Sequence, residues 1–133
     1  MIEVFDNQNN LIAIIHKGND FKKGKNFYTD KNKEFQFGSF DLKAGENIEY
    51  HIHNFQERVV NRTSEGIVVI SGKMIIELFD DKKNLIHEQI LSSGDAILIF
   101  EGGHGISILE DCKFLEFKQG PYYEEKDKLY FDK

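Results

Sequence analysis

No stretch of this sequence repeats apolar residues at i, i+3, i+4 and i+7, so the chain lacks the stripe with which a helix buries itself against a core. Short apolar runs recur instead, each closed by a polar or glycine-bearing turn. Residues 2–5 and 11–16 flank the polar cluster Asp6–Asn10 and predict a hairpin. Residues 17–33, rich in Lys, Asn, Gly and Asp, read as a loop with one short strand near Phe27 and Tyr28. From Glu34 the residues alternate, with Phe35, Phe37 and Ser39 on one face, up to a turn at Lys43–Glu46. The run from Gly66 to Phe79 is the most strand-like, and Gly72 inside it predicts a bulge or sharp bend. Turns at Asp80–Asn84 and Ser92–Asp95 bound further strands over 85–91 and 96–100. A glycine-rich loop at 101–105 precedes strands over 106–109 and 113–118, and Pro121 ends the series. About nine such runs without βα units predict an all-β sandwich or barrel, with a turn or two of helix at most.

Composition narrows the partners. A chain of 133 residues, 40% hydrophobic and 13% aromatic, is expected to form one folded domain. The formal charge of −6 is spread along the chain without a basic stripe, which argues against nucleic acid and anionic membrane as partners. Cys112 is the only cysteine and has no intramolecular disulfide partner, and no run approaches the ~20 apolar residues of a membrane span. The first residues have neither a basic region nor a long apolar run, so the expectation is a cytoplasmic protein.

Four residues stand out as metal-ligand types. His51 and His53 end a run led by Gly45, and in a strand residues i and i+2 share a face, so both imidazoles are expected to point the same way. Gly45 precedes His51 by five intervening residues, and Glu65 precedes Gly72 by six. Gly94-Asp95 opens the strand leading to Gly102-Gly103-His104. This arrangement resembles the two signature motifs of the cupin superfamily, over residues 34–118. The stretch Glu116–Tyr122 and the Gly-Gly-His-Gly run also resemble a group of small single-domain cupins. The resemblance implies a single jelly-roll barrel of two antiparallel sheets. Residues 1–33 would form the N-terminal strands and loop, 34–118 the barrel core and 119–133 a tail. It also implies that His51, His53, Glu65 and His104 converge on one divalent ion, for which three imidazoles and a carboxylate suit Zn, Fe, Mn, Ni or Cu.

The chain departs from the family pattern in two places. Eleven residues separate His53 from Glu65, more than the family uses, so Glu57 competes for the carboxylate position; Glu65 is preferred for its spacing to Gly72. The second motif has Phe100 in place of its usual proline, and only Gly103 between Gly102 and His104. Around these, Arg58 and Arg62 are candidates for binding a carboxylate or phosphate, and Glu116, Lys118 and Gln119 for polar contacts near a barrel mouth. His16 and His87 lie in strands without a motif partner and read as ordinary surface or core histidines.

The expected function is a small-molecule metalloenzyme of isomerase or dioxygenase type, acting on an oxygen-rich anion such as a sugar or keto acid. One alternative is a metal-independent sugar-nucleotide ketoisomerase using His51 and His53 as acid and base. Another is a binding or sensor module without chemistry. By the same resemblance a homodimer is expected, with the apolar strand over residues 11–15 covering an otherwise exposed edge.

Overall fold

A computed structural model describes residues 1–132. In chain order the elements are β1 (Ile2–Phe5), β2 (Leu11–His16), β3 (Gly24–Phe27), β4 (Gly38–Asp41), β5 (Glu65–Phe79), β6 (Leu85–Ser92), β7 (Ala96–Ile99), β8 (Gly103–Lys118) and the short helix α1 (Glu124–Asp127). The chain divides into two compact units: residues 1–20 together with 62 onward, and Phe21–Asn61. Among the described residues no helix is long and apolar enough to cross a membrane.

The larger unit is a curled antiparallel sheet, half of a barrel, in the order β1-β2-β7-β5-β6, with β8 also paired to β5. The predicted hairpin forms as β1 and β2. Its turn is made by Asp6, whose carboxylate accepts the N–H groups of Gln8 and Asn10 at 2.8 Å each while Asn9 takes φ 66°. Asp80 repeats the device between β5 and β6, accepting from Lys82 and Asn84 with Lys83 at φ 68°. Short polar side chains that bond their own backbone favour such turns. β2, the strand over residues 11–16, has both edges paired within this sheet, to β1 and β7.

The unit is built around β5. Its first arm (Glu65–Val68) lies between β7 and β8, and its second (Lys73–Phe79) between β6 and β8. Before the bend the odd residues Glu65, Ile67 and Val69 are buried; after it the even residues Met74, Ile76 and Leu78 are. Side chains alternate with period 2, so only an odd number of extra residues can switch the buried parity. The register against β8 slips between Val69 and Met74, where Gly72 takes φ 81°. A Cβ there would lie 2.0 Å from the Asp111 carbonyl oxygen, so glycine is obligatory where the two backbones cross. Val4, Ala13, Ile15, Leu91, Ile97 and Ile99 complete the core against the buried residues of β5.

Two expectations change here. The strands expected over 106–109 and 113–118 are one strand, β8, which begins at Gly103. The polar break at Glu110–Cys112 is where β8 follows the bend of β5, and the ladder continues through the glycines because Gly103 and Gly105 pair with Phe79 and Glu77. His104 is therefore a strand residue.

The smaller unit holds the two-stranded β3-β4 sheet, paired from Gly24↔Asp41 to Phe27↔Gly38. Phe27 meets Phe40 edge-on at 5.8 Å, and the Tyr28 hydroxyl bonds Ser39 Oγ at 2.7 Å. After a turn in which the Glu46 N–H donates to Lys43 O, residues 46–61 have no strand structure, so the strand expected over 45–53 is not formed. Its alternating Ile48, Tyr50 and Ile52 are exposed. Alternation by itself does not hold an extended segment in a sheet without a ladder partner.

Candidate functional site

The bend at Gly72 decides which residues meet. It folds the β5–β8 ribbon back, so that the start of β5, opposite the end of β8, faces the end of β5, opposite the start of β8. In register, Glu65 lies opposite Lys118 and His104 opposite Leu78. Across the fold, His104 Nε2 is 3.0 Å from Glu65 Oε2. Glu65 heads the buried face that continues as Ile67 and Val69, and only 6% of it is exposed. Its Oε2 is buried and, apart from this ion-pair contact, has no hydrogen-bond partner among the described residues. The imidazole contact outweighs the cost of burial, with Lys118 and Lys128 adding to it, and holds the Glu65 carboxyl below its ordinary range.

Lys118 is the hub beside this pair. Its Nζ lies 3.6 Å from Glu65 Oε1, 3.5 Å from Glu116 Oε1 and 4.0 Å from Asp127 Oδ2, and 4.6 Å from the centre of the Tyr122 ring. Burial pulls the ammonium pKa down, but Glu65, Glu116 and Asp127 together raise it above its usual value. Gln119 anchors the approach to Glu65, its Oε1 accepting the Ser64 N–H at 2.9 Å. Arg62 is engaged by both Asp81 oxygens, at 3.1 and 3.0 Å, and lies 3.4 Å from Glu101. The cations expected to receive an anion in this unit, Arg62 and Lys118, are thus each already paired with carboxylates.

A cavity of about 390 Å³ opens on the pair, with Glu65, His104, Glu77 and Glu101 in its walls and residues 127–131 along one side. Glu77, Glu101 and Asp127 were not singled out by the motif spacing. Glu77 alone carried a local signal, a charged residue inside the apolar run Met74–Phe79. It is 8% exposed. Asp95, the acidic residue of the Gly-Asp motif, has a different task. Its carboxylate accepts the N–H groups of Gly18 at 2.9 Å and Ser92 at 2.8 Å and pairs with Lys17, closing the turn before β7.

The other two expected ligands, His51 and His53, belong to the smaller unit. Their rings stand 5.1 Å apart and nearly perpendicular, at 84°, and His51 Nδ1 lies 2.8 Å from the Glu49 carbonyl oxygen, which directs Nε2 away from the backbone. Glu57 and Arg58 are exposed in the same segment. Of the two competing carboxylates, Glu65 is therefore the one beside His104. Among the described residues no group of three or more His, Cys, Asp or Glu side chains is placed to hold a metal ion. No protein-family model matches the chain, and no curated protein or solved structure matches it either.

Proposed function

We propose that the chain is a small cupin-type jelly-roll protein that binds a divalent transition metal and acts on a small oxygen-rich molecule. Glu65 and His104 are the ligands that the larger unit supplies. The observation that carries this reading is the buried Glu65 oxygen, held 3.0 Å from an imidazole nitrogen on a cavity and, among the described residues, without another hydrogen-bond partner. Buried polar oxygens are normally satisfied, so one kept ionised with its lone pairs directed beside an imidazole has the chemistry of a chelating pair. A metal bound there supplies Lewis acidity toward a carbonyl or enediol oxygen.

The chain's own residues do the rest. Glu65 orients the His104 ring, the His104 contact with Lys118 beside it keeps Glu65 charged, and the apolar residues behind Glu65 shield it from water. Arg62 and Lys118 are each engaged by carboxylates, and Lys128 is the cation in the cavity wall that an anionic substrate would meet. Elemental analysis of protein purified without added ions tests the reading. Bound metal is expected in the wild type and lost in Glu65→Gln and His104→Ala; unchanged content in both variants sinks it.

A second reading uses the same contact without a metal. A carboxylate 3.0 Å from an imidazole is also an acid–base pair, in which Glu65 fixes the ring and His104 exchanges a proton with substrate. Turnover of a sugar nucleotide by chelator-treated protein, abolished in His104→Ala, supports this reading over the first.

A further inference from the structure

We propose that residues 121–132 form a strap along one side of the Glu65–His104 cavity, and that its release widens the entrance for a ligand, whatever that ligand is. β8 ends at Lys118, and the chain then returns along the cavity, where Asp127, Lys128, Tyr130 and Phe131 form one wall. The opposite walls belong to β5 and β8 and are fixed by a ladder of paired residues. None of the strap's described residues is in a strand; its regular structure is the four-residue α1, with no buried residue.

Side chains at a few points hold it down. The Phe131 ring meets Phe79 edge-on at 5.2 Å and 84°, with Lys83 Nζ 5.5 Å from its centre. Asp127 accepts a hydrogen bond from Thr63 Oγ1 at 3.2 Å and faces Lys118. Between these points Leu129 and Tyr130 border the cavity yet are 82% and 86% exposed. A segment held by one aromatic seat and a few polar contacts opens far more readily than the ladder beneath it.

The strap also explains the paired glycines before His104. Gly102 takes φ 81° with the Phe79 carbonyl oxygen 2.4 Å from where a Cβ would stand, which requires glycine for the backbone alone. Gly103 has no such backbone demand. A Cβ there would lie 3.0 Å from two Phe131 ring carbons, so the missing side chain is the seat of the latch.

The test is the rate at which diethyl pyrocarbonate modifies His104, read by peptide mass spectrometry in chelator-treated wild type, Phe131→Ala and Gly103→Ala. Phe131→Ala removes the latch, and Gly103→Ala displaces it without emptying its seat. His87 on β6, whose Nε2 is buried, reports the integrity of the same unit. His104 is expected to react roughly tenfold faster in Phe131→Ala, the scale of losing one aromatic contact, and less markedly faster in Gly103→Ala, with His87 unchanged. Equal His104 rates in all three proteins overturn the proposal. A parallel rise at both histidines also overturns it, because it reports loosening of the whole unit. Since the metal is removed throughout, the strap stands or falls independently of metal binding.

Discussion

Asp95 shows what a motif residue contributes when its work is structural. Two backbone N–H groups and Lys17 converge on a carboxylate that is 4% exposed. Burial pushes its pKa up, but the Lys17 contact and the Ser92 and Gly18 bonds win, and it lies below the ordinary 3.8. A carboxyl depressed in the folded state stabilises fully above its unfolded pKa, and the contribution is lost as pH falls through the folded value. Asp95→Asn is therefore expected to lose about 2–3 kcal/mol at pH 7, the scale of charge-assisted hydrogen bonds to a buried group. The gap between variant and wild type should narrow as the pH falls below 3.8. Denaturant midpoints at pH 7 and in acid check this, and a gap that stays constant across the range contradicts it.

At the scale of elements, the bend in β5 sets which residues meet, and glycine geometry makes it testable. Gly72→Ala forces both a strained φ and a collision with the Asp111 backbone, and should cost about 3 kcal/mol or more in a denaturant titration. Gly24→Ala, at φ 84° with nothing within 4 Å of the added carbon, should cost only about 1–2 kcal/mol. Similar losses at the two sites would mean that β8 does not cross β5 at Gly72. The bend was legible as a glycine inside an apolar strand, and the hairpin of β1 and β2 as two apolar runs around an Asp-to-Asn turn. The continuity of β8 was not, because a bent strand carries polar residues at its bend and then looks like two. Residues 45–53 mislead in the opposite direction: they alternate like a strand but have no ladder partner. The site divides in the same way. Spacing singled out Glu65 and His104, which come together. It was silent on Glu77, Glu101 and Asp127, whose place at the cavity arises from the curl of the sheet and the return of the tail rather than from any local pattern.

Across the whole molecule, the two units differ in how their backbones are held. The larger unit has its long strands in ladders and its core side chains fully buried, whereas residues 46–61 are exposed and outside any strand. Exposed backbone without ladder bonds is where proteases cut first. Limited trypsin digestion is expected to cleave after Arg58 before any site within β5 to β8; first cuts within β5 or β8 contradict this division. One divalent ion shared by Glu65 and His104 is the proposal on which the function rests. Cobalt(II) titration followed by visible absorption tests it most directly, because the intensity of the ligand-field bands reports inner-shell donors. A saturable band is expected in the wild type, lost or strongly altered in both Glu65→Gln and His104→Ala. A wild-type spectrum indistinguishable from that of both variants would contradict it.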